Sequence, residues 1–223
     1  MKAGIVYTSS TPELIELVNR EIEKNLGKDA EILTYQDASI LAEVREAGYV
    51  TAKAAARLTT MFMQAISDDV DAILNVCSSV GEVADAAREI GLYTGVPIVR
   101  IDEEMCREAV RKGRRIGVLA TLPTTLEPTK NTIRRVAGEM GRQVQLIDGV
   151  IDGAFGIEQE CFRNMMAERA SQIIDRIDVI LLCQGSMAYV EEYLQEMFHK
   201  PVLSSPRFGA IALRKALEEK GIC

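Results

Sequence analysis

The sequence predicts an α/β protein made of two pseudo-symmetric domains, each a parallel sheet of βα units, with an interdomain cleft. Three observations carry this. Short β-branched apolar runs alternate with longer segments of helical period, the pattern of parallel strands joined by right-handed helical crossovers. Runs such as Ile73-Leu74 and Val179-Ile180-Leu181-Leu182 are apolar without alternation, as in strands buried on both faces. The chain also repeats itself. Lys2-Ala3-Gly4-Ile5-Val6-Tyr7-Thr8 is echoed by Arg115-Ile116-Gly117-Val118-Leu119-Ala120-Thr121. Asp71-Ala72-Ile73-Leu74-Asn75-Val76-Cys77 is echoed by Asp178-Val179-Ile180-Leu181-Leu182-Cys183, and Val96-Pro97-Ile98-Val99 by Lys200-Pro201-Val202-Leu203. The separations are 113 residues from Gly4 to Gly117, 106 from Cys77 to Cys183 and 104 from Pro97 to Pro201. Duplicated halves that have lost a few loop residues behave in this way.

Strands are predicted at Ala3–Thr8, Ala30–Tyr35, Ala72–Val76 and Ile98–Ile101 in the first half. In the second they are predicted at Ile116–Ala120, Gln143–Ile147, Val179–Leu182 and Val202–Ser204. Each run is rich in Val, Ile and Leu and too short for a helix. Helices are predicted between them at Pro12–Asn25, Val50–Ser67, Val80–Leu92, Glu103–Lys112, Thr125–Met140, Glu158–Arg176, Met187–Met197 and Pro206–Glu219. Thr11-Pro12 reads as an N-cap followed by proline at the first helical position, and Pro123 with its neighbouring threonines reads the same way.

The 223 residues suffice for two small α/β halves, each with a modest core. A formal charge of −7 without any Lys/Arg block argues against nucleic-acid binding. The apolar run at the N-terminus is too short for a signal peptide, and no stretch approaches a bilayer span. Five cysteines without a Cys-x-x-Cys, and His199 as the only histidine, fit neither a zinc site nor a disulfide framework. The expected setting is a reducing cytoplasm, with free thiols and no membrane partner. Gly149-x-x-x-Gly153-x-x-Gly156 lacks the dinucleotide spacing, and no phosphate-binding loop motif occurs.

The repeat also places chemistry. In parallel α/β sheets, ligands bind beyond the carboxyl ends of the strands. Cys77 and Cys183 each stand at such an end, just before an expected helix, where backbone N–H groups and the positive helix terminus favour a thiolate. Two like side chains facing one cleft from opposite sides suit inversion at carbon, one removing a proton and the other delivering one. Taken singly, either cysteine is explained by core packing; as a repeat-equivalent pair they are the catalytic candidates. Cys106 and Cys161 are read as structural and Cys223 as an accessible tail residue. Hydroxyls and amides collect at the same strand ends: Ser9, Ser10, Ser78, Ser79, Thr121, Thr124, Gln184 and Ser186, with Gly185 among them. They are candidates for holding a substrate carboxylate or carbonyl, with helix capping as the competing role. Asn75, polar in a buried strand, is expected to make a structural hydrogen bond beside the first thiol loop.

With these residues in view, the chain resembles the aspartate/glutamate/hydantoin racemase superfamily over essentially its whole length. Both cysteine segments and the Thr121-x-x-Thr124 motif carry the likeness. Cys183-Gln184-Gly185-Ser186-Met187 is similar to the Cys-x-Gly segment of the hydantoin racemase branch, and Cys77-Ser78-Ser79 replaces the Cys-Asn-Thr of glutamate racemases. Thr8-Ser9-Ser10 stands where those enzymes carry Asp-Ser, and Cys183-Gln184-Gly185 where they carry Cys-Thr-His. The resemblance implies an isomerase that uses the two cysteines as acid and base, without metal, pyridoxal phosphate or other cofactor.

The resemblance further implies that the last helix returns to the first domain. The domains are then residues 1–101 plus 206–223 and residues 102–205. The expected partners are a small-molecule carboxylate or amide substrate and further copies of the chain, as a dimer or larger homo-oligomer. The substrate class is an amino acid or a derivative such as a hydantoin. A cation for an acidic substrate has no motif; Arg45, Lys53 and Arg57 are candidates by location only, and a solvated helix face explains them better. Within the superfamily, the alternatives are a maleate-type cis–trans isomerase or a malonate decarboxylase, the latter needing one cysteine. Outside it, the alternative is a small-solute binding protein.

Overall fold

A computed structural model describes residues 1–154 and 156–222; Cys223 lies outside the described residues. The chain divides into two compact units, Met1–Ile101 with the segment from Pro206 onward, and Asp102–Ser205.

In the first unit β1 (Lys2–Tyr7) leads through α1 (Pro12–Leu26) to β2 (Glu31–Gln36). Two helices follow, α2 (Ala38–Ala47) and α3 (Ala52–Ser67), before β3 (Ala72–Asn75). Then come α4 (Gly81–Ala86), α5 (Arg88–Thr94) and β4 (Ile98–Arg100). The sheet is wholly parallel in the order β2-β1-β3-β4. Ala3, Ile5 and Tyr7 face α1 and the last helix, burying Val18, Ile22, Leu213 and Leu217; Val6 and Ile73 face Leu58, Phe62 and Ala65 of α3. Cover on both faces explains why β1 and β3 lack a polar alternation.

The second unit repeats this plan. It comprises α6 (Glu103–Lys112), β5 (Arg115–Ala120), α7 (Pro123–Glu139), β6 (Gln145–Val150), α8 (Gln159–Ser171), β7 (Val179–Leu182), α9 (Glu191–Phe198) and β8 (Val202–Ser204). The final helix, α10 (Ser205–Glu219), follows. The sheet is again parallel, in the order β6-β5-β7-β8. Leu119, Ile180 and Leu182 pack on Phe162, Met166 and Ala170 of α8 and on Leu194 of α9. No helix among the described residues is long and apolar enough to cross a membrane.

The repeat extends to a structural detail. Asp71 accepts the backbone N–H of Lys2 at 2.7 Å. Asp178, its counterpart, accepts those of Arg114 and Arg115 at 3.0 and 2.9 Å and the Arg115 guanidinium at 2.6 Å. One aspartate thus ties the start of the third strand to the start of the first in each unit.

The α/β class and the parallel sheets agree with expectation, while several elements differ. Helix α2 was not anticipated: Asp37 caps it through the Ser39 N–H at 3.0 Å, and Gly48 ends it in the left-handed region, φ +79°. The expected helix Val80–Leu92 is two short helices, α4 and α5, and β6 lies further along than Gln143–Ile147. Thr11 does cap α1, accepting the Leu14 N–H at 3.3 Å. Pro123 begins α7, but the cap position before it is Leu122, whose hydrocarbon side chain has no group to accept a cap bond. Cys161, read as structural, is exposed near the start of α8, whereas Cys106 is buried on α6.

Candidate functional site

In the first unit the register sets Val6 beside Asn75, and the Val76 N–H donates to the Val6 carbonyl at 2.8 Å. The segments leaving β1 and β3 therefore start side by side. The first carries Thr8, fully buried with its hydroxyl unpartnered among the described residues, then Ser9 and Ser10, both half-buried. Ser10 Oγ donates to Gln36 Oε1 at 3.2 Å, at the end of β2. The second carries Cys77, half-buried and extended, followed by a 3₁₀ turn, Ser78–Val80, in which both serines are buried. Asn75 Nδ2 donates to the Cys77 carbonyl at 3.0 Å, the structural hydrogen bond expected of it.

In the second unit the equivalent positions converge in the same manner. The Cys183 N–H donates to the Leu119 carbonyl at 2.9 Å. Thr121 and Gln184 bond reciprocally: the Thr121 N–H donates to Gln184 Oε1 at 3.1 Å, and Gln184 Nε2 donates to Thr121 Oγ1 at 2.6 Å. Gly185 opens a 3₁₀ turn, Gly185–Val190. Thr124 is half-buried, with its hydroxyl enclosed and unpartnered among the described residues.

The two thiols differ in a way that corrects the expected picture. Each is followed by a 3₁₀ turn and not directly by an α-helix, so the helix-terminus field expected beside each sulfur is weaker. Cys183 is fully buried. Burial pushes its thiol well above the ordinary range, opposed by hydrogen bonding with the Thr129 side chain; Asp102 and Asp148 add to the rise and Lys130 opposes it. The reason is desolvation: a thiolate loses more than a thiol when water is excluded.

Sequence reading missed these neighbours. Thr125, Thr129 and Thr132 line the buried side of α7, the Thr129 hydroxyl donating to the Thr125 carbonyl at 2.8 Å. Lys130, largely buried, donates to Asp148 at 2.8 Å and to Glu127 at 2.7 Å. The clue was available as hydroxyls at helical spacing on the apolar face of α7. Of the three candidate cations, Arg57 approaches the Asp37 carboxylate, just past β2, at 3.7 Å. Arg57 pairs with Glu43 at 2.6 Å, and Arg45 and Lys53 lie exposed on α2 and α3. His199 ends α9 in the left-handed region, exposed.

Comparison with protein families finds a match to the Asp/Glu/Hydantoin racemase model over residues 4–213. The chain belongs to this family. It is accordingly an isomerase of the racemase type, and the small-solute binding protein is set aside. Comparison with curated proteins finds no match. Among solved structures, the chain is similar to an allantoin racemase from Klebsiella pneumoniae, with TM-score 0.69 and 18% identity over 100% of this chain and 89% of that one. It is also similar to a glutamate racemase from Bacillus anthracis, with TM-score 0.75 and 17% identity over 99% and 82%. A third, the aspartate racemase of Picrophilus torridus, has TM-score 0.63 and 12% identity over 99% and 94%. At these identities the likeness shows the fold alone.

Proposed function

We propose that the chain is a cofactor-independent racemase of an amino acid or amino-acid derivative of the aspartate, glutamate or hydantoin type. It works by two-thiol 1,1-proton transfer between Cys77 and Cys183. The observation that carries this is their equivalence: each follows the third strand of a unit with the same strand order, beside the segment leaving the first strand. A thiolate takes the proton from the carbon next to a carbonyl or carboxylate, and the C–H electron pair remains as a carbanion delocalised into that group. The other thiol protonates the opposite face and becomes the thiolate. Ser9, Ser10, Ser78, Ser79, Thr121, Thr124, Gln184 and Gly185 are the proposed substrate contacts. Thr8 and Thr124 support this reading, because enclosed hydroxyls without partners among the described residues suit a polar ligand.

The resting protonation state follows from burial. Cys183 holds its proton strongly, so the enzyme waits with Cys183 as the acid, and Thr129 and Lys130 ease its ionisation when the direction reverses. This feature also favours one second reading, decarboxylation of a substituted malonate, which ends when a thiol protonates a carbanion. The presence of Cys77 as a second strand-end thiol favours the racemase. The test is a deuterium-incorporation screen against enantiopure amino acids, hydantoins and allantoin, with maleate and a substituted malonate as comparison substrates. Exchange with inversion supports racemisation. Carbon dioxide release, or conversion of maleate to fumarate alone, would overturn it.

A further inference from the structure

We propose that Arg100 is a positioning residue for the turn that carries Cys77. Its guanidinium is almost wholly buried, at 1% exposure, and it ends β4 between the apolar residues Val99 and Ile101. An arginine stays charged even when buried, so such a position is costly unless the charge is paired and put to use. The pair is Asp85 on α4, with Nη1 to Oδ2 at 2.6 Å; Arg88 approaches the other oxygen of the same carboxylate at 3.3 Å.

The use lies in Gly81, the first residue of α4 and the residue directly after the Ser78–Val80 turn. A Cβ built on Gly81 would fall 2.3 Å from Arg100 Cζ and 2.6 Å from Nε, so the flat guanidinium rests on the space a side chain would fill. The other end of the turn is held from the same row of the sheet. Asn75 stands in register with Arg100, its carbonyl accepts the Ile101 N–H at 3.1 Å, and its side chain donates to the Cys77 carbonyl at 3.0 Å. Cys77, Ser78 and Ser79 are thus suspended between Asn75 and the Arg100–Gly81 contact. Arg100 acts on the thiol by fixing the backbone on which it rides.

This inference rests on the proposed role of Cys77, and its test is independent of turnover. Iodoacetamide labelling of Cys77 is followed by mass mapping from about pH 6 to about pH 9, with exposed Cys161 as the internal reference. Arg100→Gln and Gly81→Ala, each with a native circular dichroism spectrum, are expected to change the Cys77-to-Cys161 rate ratio about fivefold or more and to displace its pH profile. Arg100→Lys, which keeps the charge without the flat contact, should fall between them and wild type. Adding Gly81→Ala to Arg100→Gln should do less than Gly81→Ala does alone, since Cζ and Nη2, the two atoms it would strike hardest, are gone. If Arg100→Gln does not fold, Gly81→Ala and Arg100→Lys carry the same readout. A Cys77 ratio and profile indistinguishable from wild type in the folded variants would overturn the proposal. An enzyme inert toward every substrate screened would sink the racemase reading and leave this labelling result standing.

Discussion

Replacing Gly117 with alanine should destabilise the protein, while the same change at its repeat counterpart Gly4 should not. A Cβ on Gly117 would lie 2.6 Å from Ile177 Cδ1 and 3.2 Å from Ile173 Cδ1, both side chains buried in the core of the second unit. A Cβ on Gly4 would meet Ala65 Cβ at 3.3 Å, tighter than ordinary contact by about a tenth of an ångström, and the Val70 methyls at 3.4 Å, the edge of ordinary contact. Overpacking of a core costs about 1–3 kcal/mol, and the loss of glycine's freedom in the unfolded chain returns about 0.4–1 kcal/mol. Gly117→Ala should therefore lose about 1–2 kcal/mol, and Gly4→Ala should stay within about 0.5 kcal/mol of wild type. For a chain of this length the first corresponds to a fall of about 3–6 °C in Tm. Ile177→Val removes the offending methyl, so the double variant should recover about 1 kcal/mol relative to additivity. Urea denaturation of the four variants and wild type measures the cycle. Equal stability of Gly117→Ala and wild type, or a strictly additive double variant, would refute the packing argument.

Asp178 is held near a pKa of about 2 by the Arg115 guanidinium and then by backbone N–H groups, below its ordinary 3.8. Its contribution is present above about pH 4 and lost as the pH falls through about 2. The Tm gap between wild type and Asp178→Asn should accordingly be open at neutral pH and close over that window; a constant gap would discount the carboxylate. In timed alkylation, exposed Cys161 should react first and half-buried Cys77 next. Cys183 should be slower than an ordinary thiol by more than about tenfold until the protein unfolds. Early labelling of Cys183 would contradict its burial. Gln184→Leu leaves the buried Thr121 N–H and hydroxyl without their partner and should lower stability by about 1–2 kcal/mol and raise KM. Unchanged stability and unchanged KM would remove the pair from the account.

The fold was legible where burial writes itself into composition. Val179–Leu182 appears at the residues read for it, because a strand covered on both faces is an uninterrupted apolar run, and Val202–Ser204 also falls where it was read. Helix α2 was missed because Ile40, Leu41 and Val44 make a short apolar pattern, and its evidence lay in the terminal residues Asp37 and Gly48. The cysteines were legible because the repeat marks them twice. Their difference was not, since it rests on the burial of Cys183, whose neighbours Thr129 and Lys130 lie more than fifty residues away in sequence. Arg100 was passed over for a similar reason: a charge ending an apolar strand acquires meaning once Gly81 and Asp85 are seen against it.

The central claim, that two thiols share one proton transfer, is tested most directly by deuterium exchange with each enantiomer of a verified substrate in wild type, Cys77→Ser and Cys183→Ser. Serine oxygen is a far weaker base than a thiolate at neutral pH, so each variant lacks one partner. Both variants should lose interconversion of enantiomers while keeping the fold, and each should retain α-proton exchange with one enantiomer only, opposite in the two variants. Full racemisation by either variant, or exchange of the same enantiomer by both, would contradict the two-thiol mechanism.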